Sequence, residues 1–452
     1  MSRRPNILVF FTDQQRWDTC GCYGQPLEVT PNLDRLAGEG VRFDLAFTCQ
    51  PVCGPARAAI QTGKYPTEVD CHTNHRRLPP EETTIAHRLR EAGYEVGYIG
   101  KWHLASFGPD GSPDNFRTRP VPPDRRGGYD DFWLASDVLE YTSHGYDGHM
   151  FDGDGNKREF PPGRYRADAQ TDWVLEFLRD RADAGKDGNR PFFLFVSYIE
   201  PHHQNDRNTY EGPHGSRERF ADFPVPGDLE DTGGDWREEY PDYLGCCHAL
   251  DANLGRIRDE LERLGLADET LVAFTSDHGS HFRTRNEEYK RSCHDGCIRI
   301  PLVFCGPGFR GGMVIDEMAS LIDLPPTLLA AGGVDLPDTL RGRALQPLAA
   351  GPRCEDWPDD VFVQISESQC GRAVRTKRWK YSVRSPHGEP WQPDSDEYVE
   401  DFLYDLETDP HERHNLVAEP SLSDVRAEMA DRLRRRMAAV GEPEPTIRPA
   451  DS

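Results

Sequence analysis

Several short clusters in the chain combine nucleophilic, metal-binding and cationic side chains. In Pro51-Val52-Cys53-Gly54-Pro55-Ala56-Arg57 a cysteine stands two residues before a proline. Proline starts a helix well, so Cys53 is expected near a helix N-terminus, where an anion is favoured. Arg57 is expected to face the same pocket. Asp13-Gln14 and Asp277-His278 each follow an apolar run. Hard divalent cations prefer carboxylate and amide oxygens, and two strand ends could present these four groups to one ion. Lys101 and His103 are two residues apart at another strand end, so both side chains can point to one side. His202 and Lys290 sit in similar polar segments. Asn74, with Thr73 and His75, is a candidate for lining the same pocket, and His203, His281, Arg285 and His294 are candidates for reaching a substrate. Cys293-His294 with Cys297 does not have a standard structural-zinc spacing, and Cys246-Cys247 reads as helix core.

The elements that must position these groups can be read from the same sequence. Asn6 to Phe11, Val96 to Ile99, Phe192 to Ile199, Leu271 to Phe274 and Ile300 to Phe304 are apolar runs of strand length. Such runs suit strands buried on both faces of a largely parallel sheet. Helices are expected between them: one from Pro31 to near Gly40 capped by Thr30, one through Leu89 capped by Thr83 or Thr84, then Ala167 to Asp180 and Tyr240 to Leu264. Strand and helix alternation predicts a large, mostly parallel, doubly wound α/β sheet, with ligands at the carboxyl ends of its strands. Two polar, turn-rich stretches, about 106–163 and 205–236, are expected as lids or substrate walls inserted in a catalytic domain spanning about 1–358. From about 359 to 452 the texture predicts a smaller α+β subdomain. Its expected elements are short antiparallel strands at Val361 to Ile365, Gly371 to Val374 and Trp379 to Val383, a helix from Asp424 to Val440 with Ser423 as its cap, and a terminal tail.

The chain has 452 residues, 36 % hydrophobic and 10 % aromatic, enough for a sizeable interior. No apolar run approaches the length of a membrane span. The net charge of −25 opposes binding to nucleic acid or anionic membranes at long range. Against that background Arg76-Arg77, Arg283 with Arg285, and Lys290-Arg291 stand out as groups that a small anionic substrate could use. The twelve cysteines show no dense disulfide spacing, and the N-terminal segment lacks the features of a secretion signal. A cytoplasmic location is the resulting expectation.

The Cys53 to Arg57 segment resembles the Cys-x-Pro-x-Arg signature of type I sulfatases, the formylglycine-dependent branch of the alkaline phosphatase superfamily. The resemblance runs in the family's order from Pro5-Asn6-Ile7 through Gly93-Tyr94, Gly100-Lys101-Trp102-His103, Glu200-Pro201-His202 and Ser276-Asp277-His278-Gly279. It ends at Leu403-Tyr404-Asp405-Leu406-Glu407-Thr408-Asp409-Pro410. It implies that Cys53 is oxidised to formylglycine by a generating enzyme that binds transiently. One hydroxyl of the hydrated aldehyde would attack sulfur and the other would later expel sulfate. It further implies that Lys101 binds sulfate oxygens, His103 removes a proton from the diol, Lys290 contacts the bridging oxygen and His202 assists the leaving group. One divalent ion would rest on Asp13, Gln14, Asp277, His278 and the modified Cys53. Calcium leads, and the histidine leaves manganese and zinc open.

Two positions depart from the family pattern. Ala56 replaces the usual serine, and Gln14 replaces a more common aspartate. Gln14 with His278 resembles the phosphonate monoester hydrolase branch, whereas Lys101 with His103 favours a sulfatase. The leading expectation is hydrolysis of a small anionic sulfate ester, with sulfated sugars, aryl sulfates and alkyl sulfates all open. The alternatives are a phosphonate monoester hydrolase or phosphodiesterase and, remotely, a non-catalytic binding protein on the same fold. Homo-oligomerisation is left open.

Overall fold

The computed structural model of the protein describes residues 4–108, 111–183, 190–351, 354 and 356–450. One sheet of eleven strands contains β1 (Asn6–Thr12), β2 (Val41–Phe47), β3 (Glu95–Lys101), β4 (Phe132–Ser136), β5 (Ser143–His144), β6 (Asp147–Asp152), β7 (Lys157–Glu159), β8 (Phe192–Ser197), β9 (Thr270–Ser276), β10 (Leu302–Cys305) and β11 (Met313–Ser320). The strand order is β11-β2-β10-β9-β1-β8-β3-β4-β6-β5, with β7 paired to β6. The central run from β9 to β4 is parallel.

Alternation along each central strand sends side chains into two separate cores. Ile7, Val9 and Phe11 pack on one side with Leu89 and Leu328, while Leu8 and Phe10 pack on the other with Leu33, Val174 and Leu254. The first face lies under helices Ile85–Glu91 and Leu324–Ala331, the second under Pro31–Glu39, Arg166–Asp183 and Trp236–Arg263. A strand covered on both faces must be apolar at every position. That accounts for the unbroken apolar runs Ile7 to Phe11 in β1 and Phe192 to Val196 in β8.

A second sheet of five strands follows: β12 (Asp360–Ile365), β13 (Gly371–Thr376), β14 (Trp379–Arg384), β15 (Glu397–Asp405) and β16 (Thr446–Arg448). The three antiparallel strands expected here are present. The expected tail is not: β16 adds to β15 in parallel.

Other expectations also change. β10 runs antiparallel to both β9 and β2. The stretch 106–163 is more than a lid, because it contributes β4 to the parallel core and carries the buried Trp133 and Leu134. Thr84 caps its helix, accepting the His87 N–H at 3.3 Å. Thr30 does not cap by its side chain; the Asp251 carboxylate takes the N–H groups of Asn32 and Leu33 instead, at 3.0 and 2.8 Å. Ser423 lies inside the helix Ser423–Ala439 rather than capping it. All twelve cysteines are free thiols. No helix among the described residues is long and apolar enough to cross a membrane.

Candidate active site

The parallel register assembles the site. β1 and β9 pair Thr12 with Ser276, so the next residues, Asp13 and Asp277, emerge side by side. β8 and then β3 lie on the other side of β1, which brings Lys101 to the same end of the sheet. The close approach of β3 to β8 requires Gly100. A Cβ there would meet the Ser197 carbonyl oxygen at 1.9 Å, and its φ is +119°. Cys53 opens the buried helix Cys53–Thr62, which points its first residue at this strand edge.

At position 53 the structure holds the cysteine thiol. Its Sγ lies 3.4 Å from Asp13 Oδ1, 3.3 Å from His278 Nε2 and 2.7 Å from Lys290 Nζ. Lys290 Nζ also lies 3.3 Å from His202 Nε2. Lys101 Nζ and Arg57 Nη2 donate to Asp13 Oδ2 at 2.7 and 2.8 Å.

The residues present fit a divalent cation. The ligand atoms of Asp13, Cys53, Asp277 and His278 all lie within 4.8 Å of one another. Asp277 Oδ2 is buried without a hydrogen-bond partner, while Oδ1 accepts the N–H groups of Gln14 and His278, each at 2.9 Å. His278 Nδ1 faces the Gly279 carbonyl at 2.9 Å. That contact fixes the proton on Nδ1 and leaves the Nε2 lone pair for a ligand. Gln14 uses its amide nitrogen on Tyr210 and Ser280, which leaves its carbonyl oxygen as the atom available to a cation. Burial, and next to it repulsion from Asp13, push the Asp277 carboxyl up to about 7. A cation between the two carboxylates would cancel that repulsion.

The other charges reinforce one another. Burial opposes ionisation of Asp13, but the cations Lys101, Arg57 and Lys290 outweigh it and hold the carboxyl well below its usual range. Burial and the nearby lysines keep His202 and His278 neutral, and burial with Lys101 and Arg57 does the same for His103. The Cys53 thiol is pushed up to about 11, first by burial and then by Asp13. As a thiol it is therefore protonated at neutral pH and a poor nucleophile.

A cavity of about 180 Å³ opens over Cys53. Gln14, Asn74, Lys101, His103, His202 and Lys290 line it, as expected. Asn74 also accepts the Gly54 N–H at 2.9 Å, fixing the start of the helix Cys53–Thr62. His75 is on the wall; Thr73 is buried beside it. Sequence reasoning missed Arg117, Glu140, Tyr141 and Glu367, which line the walls together with Val138, Asn205, Glu288 and Tyr289. Glu140 Oε2 lies 3.2 Å from His202 Nδ1. Glu367, from the loop after β12, accepts the Asn74 N–H and pairs with Arg291 at 2.6 Å. The aromatic, polar texture of 106–163 was a signal for Glu140 and Tyr141, whereas nothing in the sequence marked Glu367.

Other expectations are not met in position. Arg57 sits behind Asp13, bonded to it, to the Lys101 carbonyl and to Ser197, with its Nε buried and unpartnered. His203 is stacked on Tyr289 and bonded to its hydroxyl at 2.7 Å, outside the cavity wall. His281 bonds the Lys290 carbonyl at 3.1 Å. Arg285 reaches the His411 carbonyl, and His294 is buried against Ser292 and Tyr404. Among the described residues Cys293, His294 and Cys297 form no metal cluster. Of the basic clusters, only Lys290-Arg291 reaches the cavity; Arg76 and Arg77 pair with Asp70 and Asp114 instead.

The chain matches the sulfatase family over residues 5–334, and the N-sulphoglucosamine sulphohydrolase C-terminal family over residues 288–439. This chain belongs to the sulfatase family. Membership makes it a hydrolase acting on sulfate esters. An ulvan-active sulfatase of Formosa agariphila is 29 % identical, over 97 % of this chain and 82 % of that one. Among solved structures, a protein in complex with its substrate D-glucosamine-2-N,6-O-disulfate superposes with a TM-score of 0.77, at 23 % identity, over 98 % of this chain and 99 % of that one. The phosphonate monoester hydrolase of Agrobacterium radiobacter is a more distant neighbour, with a TM-score of 0.69 at 25 % identity over 97 % and 96 % of the chains. Lys101 and His103 both line the sulfatase's cavity.

Proposed function

We propose that this sulfatase releases inorganic sulfate from a sulfated sugar, with residue 53 in the formylglycine form and one divalent ion on Asp13, Gln14, Asp277 and His278. The observation that carries the reading is the surroundings of Cys53. Lys290, Asp13 and His278 approach its Sγ within 3.4 Å, and Arg57 Nε and Asp277 Oδ2 are buried without a hydrogen bond, Oδ2 having only the Arg57 guanidinium at 3.7 Å. A hydrated aldehyde there supplies a hydroxyl nucleophile in place of an inert thiol, and the bound ion supplies positive charge beside it. The donor set admits calcium first, with manganese and zinc allowed by the histidine.

The remaining roles belong to the chain's own side chains. The Lys101 and Lys290 ammonium groups bind the sulfate oxygens and balance the charge that develops on them. Arg57 holds Asp13 in place. His202 receives a proton at Nε2 from the adjacent Lys290 ammonium and hands it on to the departing oxygen, and the Glu140 carboxylate at its Nδ1 orients the ring. His103 takes a proton from residue 53. The sugar assignment draws support from the ulvan-active relative and from the neighbour that binds a disulfated glucosamine.

The test is the mass of the Phe43 to Arg57 tryptic peptide from enzyme made in its native host, measured on a preparation that hydrolyses 4-nitrophenyl sulfate. Aldehyde at residue 53, with Cys53→Ala inactive, is the expected result. An active preparation whose residue 53 is wholly thiol would overturn the proposal.

A further inference from the structure

Six large hydrophobic side chains stand exposed on the described surface, and two of them, Tyr141 and Trp391, belong to one row of rings at the mouth of the cavity. Tyr141 is 50 % exposed and Trp391 47 %. The Arg117 guanidinium lies over the Tyr141 ring, 5.6 Å from its centroid. Arg117 Nη2 is 3.4 Å from His75 Nδ1, and the His75 ring is 5.0 Å from that of Trp391. Tyr141, Arg117 and His75 line the cavity, while Trp391 lies beyond its wall. The row therefore leads from the reacting centre outward.

The row joins separate parts of the chain. Tyr141 comes from the loop between β4 and β5, His75 from the segment after the nucleophile helix, and Trp391 from the loop joining β14 to β15. The Trp391 loop is tied down: His72 Nε2 meets the Trp391 carbonyl at 3.1 Å, and the Glu367 N–H donates to the Pro390 carbonyl at 2.8 Å. A tethered loop that holds a tryptophan half in water beside a charged cavity has the features of a ligand platform. Aromatic faces pack against the C–H faces of pyranose rings, and a guanidinium between them pairs with a carboxylate or sulfate.

We infer that this row is a subsite for a second sugar unit. The substrate is then a sulfated oligosaccharide whose sulfated ring enters the cavity, while the neighbouring ring, bearing an anionic substituent, lies along Tyr141, Arg117, His75 and Trp391. The inference rests on the sulfated-sugar reading above and adds to it the length of the substrate and the residues that measure it.

The experiment titrates matched mono- and disaccharides from enzymatic digests of ulvan, heparan sulfate and chondroitin sulfate into the Cys53→Ala protein by calorimetry. Turnover of 4-nitrophenyl sulfate by the unsubstituted enzyme is measured alongside. For the sugar that binds, the disaccharide is expected to bind about tenfold more tightly than its sulfated monosaccharide. Adding Tyr141→Ala and Trp391→Ala should erase that advantage. No disaccharide advantage in any pair, or one that survives both substitutions, overturns the subsite. Absent nitrophenyl sulfate turnover with an intact disaccharide advantage would fault the chemistry and leave the subsite standing.

Discussion

His202 has the Glu140 carboxylate 3.2 Å from one ring nitrogen and the Lys290 ammonium 3.3 Å from the other. In the proposed mechanism it serves a leaving oxygen only when that oxygen needs a proton. His202→Ala should reduce kcat by roughly 10²–10⁴ on a sugar sulfate, whose alkoxide is strongly basic, and by less than about tenfold on 4-nitrophenyl sulfate. Equal losses on both esters would remove the general-acid role. Asp277 carries a different signature. Without a cation its carboxyl faces Asp13 and is pushed up to about 7, so its folded pKa exceeds its unfolded value. That group's contribution to stability is full below about pH 4 and is lost as pH rises through 7. In chelator at pH 8, Asp277→Asn is therefore expected to raise the melting temperature. With calcium, manganese or zinc added, only the unsubstituted protein should gain stability, as a ligand that binds the folded state requires. A melting temperature indifferent to every ion would exclude the site.

At the scale of elements, contacts between segments distant in sequence replace local capping. The helix Pro31–Glu39 starts on the Asp251 carboxylate of the helix Trp236–Arg263. Burial raises that carboxyl to about 6. Asp251→Ala should cost about 1–3 kcal/mol in urea unfolding. Asp251→Asn keeps one of the two acceptor oxygens and sets an amide donor against the other N–H, so it should still cost stability but flatten its change between pH 4 and 6, where the wild-type group loses its contribution as pH rises. The C-terminal segment is held in the same manner: buried Glu442 pairs with buried Arg372 at 2.7 Å and accepts from Gln364, which in turn donates to Thr67. Glu442→Ala leaves an uncompensated guanidinium and should cost about 3–5 kcal/mol. A change below 1 kcal/mol in the unfolding midpoint would show that water reaches Arg372. The same contrast marks what was legible in the sequence. β1, β8 and β9 announce themselves because both faces are covered. β2 (Val-Arg-Phe-Asp-Leu-Ala-Phe) and β15 (Glu-Tyr-Val-Glu-Asp-Phe-Leu-Tyr-Asp) hide because polar residues interrupt them. The antiparallel sense of β10 is set by neighbours the local sequence does not specify. In the site, residues at strand ends could be placed by motif and register. Glu140, Glu367 and Arg117 sit on loops whose positions depend on the whole fold, and so do the misplaced Arg285 and His294.

Over the whole molecule, a charge of −25 surrounds a small cavity whose walls carry Lys101, Arg117, Lys290 and Arg291 beside Glu140, Glu288 and Glu367. Long-range repulsion scales with the product of the charges and is screened within about 8 Å at physiological salt. Raising ionic strength from about 10 to 150 mM should therefore raise kcat/KM on a polysulfated oligosaccharide relative to a monosulfated aryl ester. A ratio independent of salt would mean that only the local field of Lys101 and Lys290 matters. The molecule's architecture also orders its own biosynthesis. Cys53 is 1 % exposed, at the head of a helix whose residues are all buried and beneath a narrow cavity. No protein-sized catalyst can reach that sulfur once the strands have closed around it. On the proposed formylglycine chemistry, conversion of the side chain has to precede folding, and a molecule that folds first is stranded as a stable, inert thiol. The active fraction of any preparation is then fixed by a race on the nascent chain, and it would respond to the speed of synthesis rather than to anything done to the finished protein.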